Sequence, residues 1–194
     1  MLRRIFLLTL VALAACKGEE KSDSIYLLNR EPVSVRGWIL DVAGAKRGET
    51  IEMELARRQG LFAGTSLWVE NSQYASGGIA GNGAFVILDV PPQNATIGFN
   101  APGAETAKLV MQGVPGNAEV FIPDILLERG GSKVLDPKKI QVKLPAKIDK
   151  ARATGQYANV GGYKVPIVLT PLNQFTERRE YPEPPGFRPV ATVR

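Results

Sequence analysis

Gly81-Asn82-Gly83-Ala84-Phe85-Val86-Ile87-Leu88 decides how the rest of the chain is read. Asn82-Gly83 predicts a tight hairpin, because both central residues of a type I′ turn need positive φ. Ala84 to Leu88 then reads as a strand, the most apolar of a series of short β-type runs separated by turn signals. Upstream, Val33 to Leu40 puts Val33, Val35 and Ile39 on one face with Gly37 between them, and residues 41–44 read as the turn that ends it. Ser66 to Glu70, Ala95 to Phe99, Ala118 to Ile122 and Ile125 to Leu127 are further runs. Lys139 to Leu144 alternates, with Ile140, Val142 and Leu144 on one face. Pro91-Pro92 and Pro102-Gly103 close strands, and Gly161 to Leu169 fits another strand, with Pro166 favouring an edge. Glu49 to Arg58 has Ile51, Leu55 and Arg58 at helical spacing, although the pattern also admits an extra strand. Runs of this length and spacing predict an all-β, antiparallel β-sandwich.

Composition agrees with one folded domain carrying tails. The chain has 194 residues, 44% hydrophobic and 22% charged, which argues against wholesale disorder. Glycine (20) and proline (14) suit a fold of many turns and few long helices. Formal net charge is +5, and Arg3 and Arg4 supply two of those charges. The other basic residues are mixed with acidic ones: Lys17 near Glu19 and Glu20, Arg178 and Arg179 between Glu177 and Glu180. A nucleic-acid protein would gather its charge into a patch or stripe, so nucleic acid is not expected as a partner. There is no histidine, which removes the commonest general base and the commonest metal ligand. The lone cysteine allows no internal disulfide, so stability must come from a core.

The N-terminus reads in three parts: Arg3 and Arg4, the apolar run Ile5 to Leu13, then Ala14 and Ala15. The run is too short to span a hydrocarbon core of about 30 Å as a helix. Leu13-Ala14-Ala15-Cys16 resembles a bacterial lipobox. That resemblance implies a signal peptide over 1–15, cleavage before Cys16, and lipid on its thiol and new amine. Several acyl chains, at about 0.8 kcal/mol per buried methylene, anchor stably. Lys17, where an aspartate would favour the inner membrane, resembles the outer-membrane pattern. The localisation expected is therefore the cell envelope, facing the periplasm or the exterior. Residues 16–31, including the polar Lys17 to Ser24, read as the lipidated cysteine and a flexible tether.

Four segments carry a second resemblance: Val35-Arg36-Gly37-Trp38-Ile39-Leu40-Asp41, Gly64-Thr65-Ser66-Leu67-Trp68-Val69, Gly81 to Ile87, and Val90-Pro91-Pro92. Over about residues 33 to 103 they resemble a carboxypeptidase-regulatory-like domain, a transthyretin-like (prealbumin-like) β-sandwich. The link from Gly44 to Ala63 is longer than usual there, and Asn82 stands where the family often has an acidic residue. The chain is expected to divide into a β-sandwich domain over 32–145 and a partly extended, Pro-rich C-terminal extension over 146–194. The resemblance implies a domain that does no chemistry: a spacer, an adhesion or carbohydrate-contacting module, or a folding aid beside an enzyme.

Motifs for chemistry are weak. There is no G-x-S-x-G elbow and no S-x-x-K pair, and Cys16 is assigned to lipid. Glu52, Glu54, Glu70, Asp89, Asp124 and Glu128 read as solvated carboxylates rather than a glycosidase pair. No EF-hand loop appears, and zinc lacks ligands, so neither metal nor cofactor is expected. Gly77 to Gly83 lacks the lysine of a phosphate loop and precedes a strand, so it reads as a turn. Asn94-Ala95-Thr96 matches a glycosylation sequon, accidental in a bacterial lipoprotein. Trp38, Trp68 and Tyr74 are the candidate ligand contacts, since aromatic faces stack on sugars and peptides. If Val33, Val35 and Ile39 face the core, Trp38 points to the opposite face, either exposed or covered by the 44–63 insertion or the C-terminal part. Tyr181 to Pro189 should be polyproline-like, as a loose tail or as a strap docking Tyr181 and Phe187 on a partner. The expected function is that of a non-enzymatic, membrane-anchored binding or structural module of the envelope, with an envelope protein as partner. The alternative is a carbohydrate- or peptidoglycan-binding module using exposed aromatics.

Overall fold

The computed structural model describes residues 31–40, 48, 50–102, 106–128, 131–147 and 155–182. The expected signal peptide, Cys16, the expected tether apart from Glu31, the expected turn at 41–44 and Phe187 lie outside the described residues.

Eleven strands and one α-helix follow in chain order: β1 (Val33–Leu40), α1 (Ile51–Ala63), β2 (Ser66–Val69), β3 (Ser76–Ile79), β4 (Ala84–Val90), β5 (Gln93–Asn100), β6 (Ala107–Val114), β7 (Glu119–Glu128), β8 (Gly131–Val134), β9 (Gln141–Pro145), β10 (Tyr157–Val160) and β11 (Tyr163–Thr170). The fold is all-β apart from α1. The strands form one sheet in the order β2-β5-β6-β10-β11-β9-β7-β1-β4-β3, with β8 paired to β7. Its end strands approach each other, and a Cβ on Gly77 of β3 would meet Leu67 of β2 at 3.1 Å. The sheet is therefore nearly closed and barrel-like.

β11 makes the fold continuous. Its first half pairs antiparallel with β10, and its second half pairs parallel with β9. Pro166 sits where the two halves meet, opposite Tyr157. Ile167 N–H donates to Gln156 O toward β10. The neighbouring nitrogen of Pro166 therefore faces the other side, where pairing with β9 first begins at Ile167. Proline is tolerated at this local edge although β11 is interior to the sheet. The sheet thus runs past residue 145, because β10 and β11 link β6 to β9.

Alternation builds the core. Val33, Val35 and Ile39 of β1 point inward with Phe85 and Ile87 of β4, Ile97 and Phe99 of β5, and Leu109 and Met111 of β6. Phe85 and Phe99 meet edge to face within the core, centroids 5.7 Å apart. Ile140, Val142 and Leu144 are all buried, as their spacing predicts. Gly37 lets β1 and β7 approach: a Cβ there would lie 2.0 Å from Ile122 O.

The hairpin at 80–83 joins β3 to β4. Its geometry differs from type I′, because Gly83 has φ +88 while Asn82 is not in the positive-φ region. Gly83 N–H donates to Ala80 O at 2.9 Å, and the Asn82 side-chain oxygen accepts from Ala84 N–H at 3.1 Å. The single left-handed residue is the glycine, which also lies against Ile39 O and the Phe62 ring. Ala118 to Ile122 and Ile125 to Leu127 are one strand, bent where Asp124 takes φ 55. The helical spacing after Glu49 produces α1, capped by Thr50, whose hydroxyl oxygen accepts from Met53 N–H at 3.3 Å.

Candidate functional site

The nearly closed sheet has two outer faces of different character. On β1, Arg36 and Trp38 point away from the core, level with Val86 and Ala84 of β4. Arg36 Nη2 donates to Glu119 Oε1 at 2.5 Å and to Thr176 Oγ1 at 2.5 Å. Arg178 donates to Asn117 Oδ1, also at 2.5 Å. The Tyr181 hydroxyl sits over Gly78, where a Cβ would meet it at 2.7 Å. Gly78 pairs with Val86, and Val86 with Arg36, so the Tyr181 and Thr176 anchors lie along one row of the sheet, while Asn117 lies just before β7. Residues 171–182 therefore form a strap across this face. Ala84 and Val86 on this face are buried, as are the core-facing Phe85 and Ile87, which explains the unbroken apolar run in β4. Trp38 is only 6% exposed on the same side.

The opposite outer face, over β2, β5, β6 and β10, is open. Trp68 lies against Gly98, whose added Cβ would be 2.3 Å from the indole, and remains 38% exposed. Gly98 pairs with Lys108, which forms an ion pair with Glu70 at 2.5 Å. In the next rows Thr96 pairs with Val110 and Asn94 with Gln112. Between them runs a shallow groove of about 350 Å³, bordered by Glu70, Asn71, Asn94, Thr96, Val110 and Gln112. Asn71 has φ 57, a left-handed conformation asparagine tolerates well.

The three aromatic candidates are thus not brought together. Trp38 lies in the covered layer, Trp68 on the open face, and Tyr74, 81% exposed, in the loop between β2 and β3. Of the carboxylates singled out in the sequence, Glu70 borders the groove with its charge matched by Lys108. Among the described residues the buried carboxylate is Glu119, which the sequence reading did not single out. Asn94, Thr96 and Gln112 were missed as site residues, although Lys108, Val110 and Gln112 alternate with buried Ala107, Leu109 and Met111. Among the described residues no group of three or more histidine, cysteine or acidic side chains is placed to hold a metal ion. Among them, too, no helix is long and apolar enough to cross a membrane. No protein-family model matches the chain, and no curated protein is significantly similar to it.

Proposed function

We propose that this chain is a lipid-anchored, extracytoplasmic module of the cell envelope that binds a partner or ligand and does no chemistry of its own. The signal-like N-terminus and the Leu13-to-Cys16 lipobox support anchorage through lipid on Cys16. The all-β architecture, with β11 changing its pairing from β10 to β9, supports reading the sheet as a transthyretin-like sandwich. The observation that carries the binding role is the contrast between the faces: one is covered by the chain's own strap, and the other is left open with a polar groove. A pure spacer has no need of such a contrast. Trp68 on the open face favours a second reading within the same role, in which the bound species is a carbohydrate.

Pull-down from native membranes, with Cys16→Ala as the anchor control, tests this reading. Mass spectrometry should find acylated Cys16 as the first residue, together with a stoichiometric envelope component. The Cys16→Ala chain should leave the membrane fraction. An unlipidated protein that keeps Met1, or one released into the medium, would overturn it.

A further inference from the structure

Taking the envelope binding module as given, we infer that the groove over β5 and β6 binds an uncharged, hydroxyl-rich saccharide chain. The groove offers three amides, Asn71, Asn94 and Gln112, and the Thr96 hydroxyl. Each amide carries donors and an acceptor on one group, as a sugar hydroxyl does, so the two classes match without any proton transfer. Fixed charge is balanced. Lys108, the cation that an anionic ligand would need, is tied to Glu70, and Glu70, the anion that a cationic ligand would need, is tied to Lys108.

Apolar ground for the C–H faces of sugar rings lies between these groups. Val110 is 45% exposed in the row between the Asn94–Gln112 pair and Trp68. The indole of Trp68 rests over Gly98 in the adjoining row and leaves part of its surface to solvent. Glycine at 98 is what allows the ring to sit so close to the sheet. The groove volume falls in the range of small-molecule sites, roughly 300–1,000 Å³. A peptide is the poorer match. Extended peptides add to open sheet edges, whereas β5 is paired on both sides, by β2 and β6, and β6 by β5 and β10.

The test uses the full chain in detergent, titrated with cellohexaose, maltohexaose, chitohexaose and mannohexaose, and with hexagalacturonate as the anionic probe. Calorimetry and tryptophan emission are read together. Saturable binding of at least one neutral hexamer, with hexagalacturonate weaker, is expected. Asn94→Ala and Gln112→Ala should each weaken it roughly three- to tenfold, the range for one lost hydrogen bond. Trp68→Ala should abolish the ligand-dependent change in emission. Tyr157→Ala, an exposed aromatic on the same face but outside the groove, should leave affinity unchanged. Failure of all four neutral hexamers to bind, preference for hexagalacturonate, or binding that survives both amide substitutions would overturn the inference. If the lipidated chain still recovers its envelope partner with both amides replaced, the ligand class falls and the module reading stands. If the chain is unlipidated and free of the membrane, the module reading itself falls.

Discussion

Arg36 and Glu119 show how much a single residue can carry in this fold. Their side chains are 12% and 6% exposed, so both charges sit largely out of water. Removing one partner leaves the other charge unmatched, which typically costs about 3–5 kcal/mol. Glu119→Ala should therefore lose about that much stability in urea unfolding. The double substitution Arg36→Met with Glu119→Leu should recover most of it, because no charge then stays buried. A single variant as stable as the parent would show that water reaches the pair. Neither residue was legible as a partner of the other, since 83 positions separate them. Gly83 was legible as a turn residue from Asn82-Gly83, but its contact with Ile39 and Phe62 was not.

At the scale of elements, α1 and the short strands differ in how they are specified. A helix of 13 residues is marginal alone in water, and α1 meets the core through Leu61 and Phe62 near its C-terminal end. Its first turn therefore depends on local groups. The Thr50 hydroxyl oxygen accepts from Met53 N–H. Hydrogen bonds from the Glu52 backbone and then the Thr50 side chain hold the Glu52 carboxyl below its ordinary value of 4.5. A carboxyl depressed in the folded state stabilises it above the unfolded value and loses that contribution as pH falls through the folded one. Helical signal should accordingly decline as pH drops below about 4.5. Thr50→Ala should reduce that acid step, leaving the part due to the Glu52 backbone, and cost about 1 kcal/mol. An acid profile identical in Thr50→Ala and parent would count against the cap. Strand β3, Ser76-Gly77-Gly78-Ile79, has only one apolar side chain and could not be read as a strand; its pairing with β4 creates it. Strand β6 alternates well and was passed over between stronger runs.

For the whole molecule, the strap decides which surface the protein presents. Residues 171–182 hold to the sheet through Arg36, Asn117 and Gly78, which belong to distant parts of the chain. Ending the chain after Thr170 should uncover Trp38 and Val86. The expected outcome is red-shifted tryptophan emission, new binding of a hydrophobic dye, and a stability loss of at least about 2 kcal/mol, the value of re-exposing one or two large apolar side chains. Unchanged emission would mean that Trp38 is covered by something other than the strap. The same truncation leaves the groove residues, all before position 113, in place.

The sequence by itself determined the all-β class, the positions of most strands and the inward set Val33, Val35, Ile39, because period-2 burial and turn chemistry are local, whereas it left residues 49–58 open between a helix and a strand. It also determined that Trp38 must point away from that set. The tertiary structure alone decided that Trp38 is covered while Trp68 is half open, that β11 joins β10 to β9, and that Asn94, Thr96 and Gln112 meet at one groove. Strand order and the path of a C-terminal segment are long-range choices. They depend on which apolar and charged surfaces find each other once the chain has collapsed, and no local pattern records them.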